Sequence, residues 1–109
     1  MLDSVLHAIA EPNRRQILQL LHWKELSAGE ISAQFSVSRP AISQHLKVLE
    51  EAGLVLVRAE GTRRLYRFRP DGLSELKSFL EQFWDEQLFM LKEVAEAEEK
   101  QKGVIKVES

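Results

Sequence analysis

The stretch that decides the fold is Ser38 to Gly53, with the sequence SRPAISQHLKVLEEAG. Serine is favoured at the N-cap of a helix, proline is tolerated in the first turn, and glycine favours the left-handed conformation that closes a helix. On a helical wheel of about 100° per residue, one side is mostly apolar and carries Ala41, Ile42, His45, Leu46, Val48, Leu49 and Ala52. The sequence therefore predicts an amphipathic helix with both ends encoded locally.

The other side of this helix carries polar side chains in its first two turns. Arg39, Ser43, Gln44 and Lys47 lie there, and these residue types hydrogen bond to base edges or phosphates of DNA. We interpret the stretch as a helix that enters the major groove of DNA.

Length and composition limit the class of protein to which the chain can belong. The 109 residues are most simply one domain, residues 1–109, and a hydrophobic fraction of 44% is ample for a core. The sequence has no cysteine, which excludes disulfides, thiolate metal sites and thiol chemistry and favours a reducing cytoplasm. No apolar run approaches the roughly 18 residues of a membrane-spanning helix. We expect a soluble intracellular protein.

The net charge of −2 is unusual for a nucleic-acid binder, but the charge is unevenly distributed. Residues 36–70 contain seven basic and three acidic residues, a balance of +4. Residues 71–109 contain five lysines and ten acids, a balance of −5. The basic middle of the chain is typical of a DNA-binding surface.

The residues before the central stretch predict two helices. The first is expected over residues 4–10, and the second follows Pro12 over about residues 13–22. Apolar residues of the second helix are expected in the core, whereas Arg14 and Arg15 are expected in solvent. There the two arginines either contact phosphate or are simply solvated.

A third helix is predicted immediately before the central one. Ser27 to Glu30 matches the capping box, so a helix is expected over residues 28–35 that buries Ile31 and Phe35. Only two residues then precede the Ser38 cap, and helices joined so closely cross steeply. We interpret residues 28–53 as a helix-turn-helix, with a generic helical hairpin as the alternative.

Residues 54–69 predict a β-hairpin. Aliphatic and aromatic residues at 54–58 and 64–69 flank turn-forming residues. Tyr66 and Phe68 are expected to cover the helical core, which places Arg67 on the other face.

Five arginines occur between Arg58 and Arg69, and Arg63 and Arg64 are expected at or next to the hairpin tip. A basic hairpin directly after a groove-reading helix is typical of a wing that contacts phosphates or a minor groove. The alternative is a solubilising edge hairpin protected by charge.

A long closing helix is predicted over residues 72–100, and the residues beyond it are expected to fray. Its apolar side would extend for roughly 42 Å, more than so small a domain covers. We therefore predict a homodimer, with a ligand pocket around Phe83, Trp84 and Leu88 as the alternative. The predicted dimer-interface residues are Leu6, Leu76, Leu80, Phe83, Trp84, Leu88 and Leu91.

Three segments together resemble the ArsR family of bacterial winged-helix repressors: AIAEPNRRQILQLL, ELSAGEISAQFSVSRPAISQHLKVLEEAGLV and LYRFRP. The resemblance covers about residues 4–70. It implies a mainly α fold with a small β-hairpin, a winged helix-turn-helix with a long C-terminal dimerisation helix. It also implies a dimer that binds an inverted-repeat operator and lowers transcription, often of its own operon. The DNA-binding set expected on this basis is Ser38, Arg39, Pro40, Ser43, Gln44 and Lys47 in the helix and Arg58, Arg63 and Arg64 in the wing.

The sequence departs from the metal-sensing members of that family. Where they carry a Cys-x-Cys pair, this chain has Ser27 and Gly29, and no histidine follows His45. The resemblance is therefore to a cysteine-free branch without the usual metal sites. We expect no metal and no cofactor, and any effector is unassigned.

No enzyme is predicted. His45 is expected to pack among apolar residues, with a base reader or ligand as the less favoured interpretation. No acid pair, activated nucleophile or phosphate-binding glycine loop stands out. Two alternatives remain. One is a winged helix that docks protein partners instead of binding DNA, and the other is a repressor whose DNA binding is gated by an unidentified small molecule.

Overall fold

The computed structural model describes residues 2–101, with side chains described for all of these except 84–89 and 98–101. The chain divides into two compact units, one ending at Leu76 and the other beginning at Lys77. The elements in chain order are α1 (Leu2–Ile9), α2 (Pro12–Trp23), β1 (Leu26–Ser27), α3 (Ala28–Ser32), α4 (Arg39–Glu51), β2 (Val55–Glu60), β3 (Arg63–Phe68) and α5 (Ser74–Gln101).

One apolar core joins the elements of the first unit. Burial of this apolar surface is the main favourable term in folding. Helices α1 to α4 each turn one face inward, and Tyr66 covers the core from β3 at 8% exposure, as predicted. The core consists of Val5, Ala8, Ile17, Leu21, Leu26, Ile31, Ile42, Leu46, Leu49, Leu54, Val55 and Tyr66.

Both predicted ends of α4 are confirmed. The Ser38 hydroxyl accepts a hydrogen bond from the Ala41 amide at 3.2 Å. At the other end Gly53 has a φ of 76°, and the amides of Gly53 and Leu54 donate to the carbonyls of Glu50 and Leu49, each at 3.0 Å. This pair of bonds is the Schellman closure, which needs a left-handed residue that glycine adopts without strain.

Helix α3 is shorter than predicted. The capping box forms as expected, but α3 ends at Ser32 and residues 33–38 make the turn to α4. The amides of Gln34 and Phe35 donate three residues back, to Ile31 and Ser32, so the chain tightens instead of continuing as an α-helix. The prediction of a helix to residue 35 is wrong, although Phe35 still packs on the core.

The predicted hairpin forms, and it belongs to a larger antiparallel sheet. Strands β2 and β3 pair from Val55 opposite Phe68 to Glu60 opposite Arg63. The two-residue strand β1 pairs with the other edge of β3, which gives the order β1-β3-β2. Sequence reasoning missed β1 because two residues are too short to show an alternating pattern. The three strands with α2 to α4 form a winged helix-turn-helix.

The prediction that Arg14 lies in solvent is wrong. Arg14 is 9% exposed because its guanidinium turns back to the end of α1, where Nε donates to the Ala8 carbonyl at 2.7 Å. The prediction that His45 is packed is confirmed, since its side chain is 16% exposed.

Helix α5 begins at Ser74, two residues later than predicted, and extends to Gln101. The chain reaches it by passing close to the end of α4 at Gly72. A β-carbon built on Gly72 would lie 2.7 Å from the Gly53 carbonyl oxygen and 3.2 Å from the Leu54 Cα. Both obstacles are main-chain atoms, so they cannot move aside as a flexible side chain does.

Gly72→Ala is therefore expected to lower the free energy of unfolding by about 1–3 kcal/mol, the cost of overpacking. Gly29→Ala is the matched control, because a β-carbon there meets its nearest neighbour, the Arg39 guanidinium, at 3.6 Å, an ordinary contact. Urea denaturation measures both variants. Equal stability of the two would contradict the close approach at Gly72.

Candidate nucleic-acid interface

Helix α4 is divided between a buried and an exposed side. Ile42, Leu46 and Leu49 are at most 1% exposed and anchor it in the core. The predicted contact residues of the helix all lie in solvent on the other side, namely Ser38, Arg39, Pro40, Ser43, Gln44 and Lys47. The structure thus brings together on one exposed surface the side chains that the sequence assigned to DNA.

The wing places two further arginines beside this surface. The hairpin turns at Gly61, which has a φ of 63°, and β3 then begins with Arg63 and Arg64. Their side chains are 51% and 61% exposed. Both are therefore accessible to a polyanion that approaches α4.

A polar groove joins the start of α4 to the wing. The Arg39 guanidinium lies beside Gly29 of α3. Three arginines and three hydroxyl-bearing residues surround the groove, whose complete lining is Ser27, Ala28, Gly29, Arg39, Thr62, Arg63, Arg64 and Tyr66. Guanidinium and hydroxyl donors in this arrangement suit a phosphate oxyanion.

Arg58 makes a different set of contacts from the other wing arginines. Its Nε and Nη2 donate to the two carboxylate oxygens of Glu25, each at 2.8 Å. This hydrogen-bonded pairing lowers the pKa of Glu25 from its usual value of 4.5. Arg58 lies in β2 and Glu25 lies between α2 and β1. Their bidentate ion pair therefore connects β2 to that segment.

Carboxylates also accompany the two tip arginines. Arg63 lies 3.6 Å from Glu60 and 4.0 Å from Glu30, and Arg64 lies 3.7 Å from Glu50 of α4. These separations are longer than hydrogen bonds, and exposed ion pairs of this kind are weak. The acidic partners were not predicted. Glu30 of α3 and Glu50 of α4 meet the wing only in the folded chain, whereas Glu60 lies just three residues before Arg63.

The predicted dimer-interface residues divide into three groups. Leu6 of α1 is 40% exposed. Leu76 is partly buried against the core of its own chain. The side chains of Trp84 and Leu88 lie outside those the structure describes. Among the described side chains of α5, the exposed large apolar residues are Phe79 at 38%, Leu80 at 44%, Phe83 at 55%, Met90 at 59%, Leu91 at 63% and Val94 at 56%.

Two negative findings apply to residues 2–101. Among the side chains described there, no group of three or more histidines and acids is placed to hold a metal ion. No helix in the same range is both long enough and apolar enough to cross a membrane.

Comparison with known proteins agrees with this geometry. Residues 11–56 match the family model of bacterial regulatory proteins of the arsR family. The regulator Rv2034 of Mycobacterium tuberculosis is 46% identical over 82 residues, which cover 75% of this chain and 77% of that protein. The chain belongs to the ArsR family. It is a DNA-binding transcriptional regulator and not an enzyme.

Two further relatives bear on the direction of regulation. The transcriptional repressor SdpR of Bacillus subtilis is 41% identical over 54 residues, 50% of this chain and 60% of SdpR. The transcriptional activator HlyU of Vibrio cholerae is 39% identical over 71% of this chain and 68% of HlyU. The solved HlyU structure covers 74% of this chain and 88% of its own at a TM-score of 0.61 and 34% identity.

The Glu25–Arg58 pair of this ArsR-family protein makes stability depend on pH. Because the folded-state pKa of Glu25 is lowered, the pair stabilises the fold fully above the usual glutamate value of 4.5. That contribution disappears as the pH falls through the lower folded value. We expect Glu25→Gln to lower the free energy of unfolding at pH 7, and its difference from the wild type to shrink as the pH falls below 4.5.

Urea denaturation at several pH values measures this difference. Glu96→Gln, which removes an exposed carboxylate from α5, is the control and should not reproduce the profile. A constant deficit of Glu25→Gln across the whole range would mean that the ion pair is not its cause.

Proposed function

We propose that this ArsR-family regulator is a homodimeric repressor that acts in the bacterial cytoplasm on an inverted-repeat operator, including one in its own promoter. The observation that carries the proposal is the two-sided character of α4. Its apolar side is fixed in the core while Arg39, Ser43, Gln44 and Lys47 stay free for DNA. A helix held in this way fits the major groove.

In this proposal the groove between α3, α4 and the wing receives the sugar-phosphate backbone. Arg39, Arg63 and Arg64 line it together, and counterion release by such contacts supplies much of the affinity for DNA. Ser38 and Pro40 lie at the same end of α4 and set where the helix starts. Arg58 is assigned to holding the wing in place, since Glu25 already occupies its guanidinium fork.

Base selection is assigned to the next residues along the exposed side of α4. Ser43, Gln44 and Lys47 are not among the residues that line the phosphate groove and project from later turns of the helix. Glutamine pairs with adenine through two hydrogen bonds, and lysine donates to guanine. These contacts would distinguish the operator from other sequences.

The homodimer is supported by exposed apolar side chains. Leu6 of α1 and Leu80, Phe83 and Leu91 of α5 are between 40% and 63% exposed. Large apolar side chains exposed to water are costly, and several of them on one helix are typical of an interface. A twofold dimer would place two copies of α4 in successive major grooves, about 34 Å apart along one side of the duplex.

Repression would follow from occlusion of the promoter. SdpR is named a repressor and HlyU an activator, so the direction needs its own measurement. Transcription in vitro from the protein's own promoter should fall as the protein is added. A rise in transcription would show that the protein binds this promoter as an activator and not as a repressor.

The first test of the proposal is DNA binding itself. Selection from a random DNA pool should enrich an inverted repeat, and binding to the enriched sequence should weaken steeply with added salt. A winged helix that only docks proteins would enrich nothing and show no salt-sensitive shift.

Gln44→Ala and Arg39→Ala should have different effects on DNA binding, the first on sequence preference and the second on general affinity. Gln44→Ala should cost about 1–3 kcal/mol on the operator and relax preference at one position in each half-site. Arg39→Ala, Arg63→Ala and Arg64→Ala should weaken operator and random DNA alike and reduce the salt dependence by about one unit of log-log slope each. Fluorescence anisotropy with both DNAs at several salt concentrations measures these quantities.

Glu51→Gln is a matched control, because this exposed residue at the C-terminal end of α4 is outside the proposed contact set. It should leave sequence preference unchanged. The division of roles would be wrong if Gln44→Ala weakened both DNAs equally or if Arg39→Ala altered preference at one base pair.

A further inference from the structure

A buried arginine joins three helices behind the proposed DNA-binding surface. Arg14, in the first turn of α2, donates from Nε to the Ala8 carbonyl at 2.7 Å and from Nη2 to the His7 carbonyl at 3.2 Å. Its Nη1 lies 3.2 Å from Nδ1 of His45 on α4. One guanidinium therefore connects the end of α1 to the helix proposed to read DNA.

The orientation of this guanidinium is fixed by α1. The last carbonyls of a helix lack partners within the helix, and His7 and Ala8 supply two such carbonyls to Arg14. A guanidinium is planar, so binding two acceptors also sets the direction of its remaining donors. The direction of the Arg14 Nη1 donor, which faces His45, is therefore set by the hydrogen bonds that Arg14 makes to α1.

The imidazole of His45 must accept this hydrogen bond. A guanidinium has donors only, so Nδ1 of His45 provides the lone pair and the neutral ring carries its proton on Nε2. Nε2 lies 4.0 Å from Oε1 of Glu11, the N-cap residue of α2. The same Oε1 accepts from the amides of Asn13 and Arg14, at 2.6 Å and 3.2 Å. Both ring nitrogens thus face the start of α2.

The buried aliphatic anchors of α4 set its orientation only coarsely. Burial of Ile42, Leu46 and Leu49 determines which side of the helix faces the core, but the hydrophobic effect is not directional and does not fix an exact angle. A hydrogen bond does specify one. The bond from Arg14 to His45 therefore limits the rotation of α4 about its own axis, and that rotation sets where Gln44 points.

We propose that Arg14 and His45 act together as positioning residues for operator recognition, holding α4 at the rotation that presents its base-reading side chains to the groove. This proposal rests on the proposed function of α4. Arg14 is 9% exposed and cannot reach DNA, so its effect on operator binding must pass through α4. Its loss should therefore weaken selectivity between DNA sequences more than general affinity.

A double-mutant cycle tests the proposal. The variants are Arg14→Lys, which keeps the charge but loses the fork, His45→Leu, which removes the acceptor, and the two combined. Each single variant should lower the ratio of operator affinity to random-DNA affinity by about five- to tenfold, and the double variant no further than the more harmful single one. His45→Asn should keep the ratio within about twofold of the wild type, because its side-chain oxygen replaces the lost acceptor.

Arg15→Lys is the matched control. Arg15 is exposed, and its Nη1 donates to the Ile9 carbonyl of α1 at 2.8 Å. It should leave the affinity ratio unchanged. Thermal unfolding of every variant identifies the temperature range in which all are folded, and if Arg14→Lys does not fold, the comparison of His45→Leu with His45→Asn decides the question alone.

Three outcomes would overturn the proposal. Additive losses in the double variant would show that His45 acts without Arg14, for instance by contacting DNA directly. Equal losses for His45→Leu and His45→Asn would show that the acceptor is irrelevant. A wild-type protein that binds DNA without selectivity would remove the proposed function itself, whereas a selective wild type with unchanged variants would remove only the positioning role.

Discussion

The structure depends on the burial of one side of α4. Ile42, Leu46 and Leu49 are almost fully withdrawn from water, and each such side chain contributes about 1.5–3 kcal/mol of burial free energy. Because apolar residues take the inner side, the polar residues of the same helix must face outward. The exposed polar side of α4 is thus a direct consequence of how the core is packed.

The elements around α4 add a groove and further arginines to its exposed side. The capping residues at both ends set the length of the helix, and the sheet carries Arg63 and Arg64 to a groove shared with Arg39. The Glu25–Arg58 fork ties β2 to the segment before β1. A basic surface can therefore exist on a chain whose net charge is −2.

Features with local causes were predictable from the sequence. The ends of α4 follow from Ser38 and Gly53, and the inward direction of Tyr66 follows from the period of a strand. Features with distant causes were not. Strand β1 exists because Leu26 pairs with Tyr66, and Arg14 is buried because the end of α1 presents acceptors to it. The grouping of Arg39 with Arg63 and Arg64 around one groove likewise depends on how the folded chain places the wing beside α4.

Methylation-interference footprinting on the selected operator tests the central claim most directly, because methyl groups on guanine N7 block contacts in the major groove. Two patches of interference about ten base pairs apart on one side of the duplex are predicted by paired α4 helices. A single patch, or interference confined to adenine N3 in the minor groove, would contradict the account.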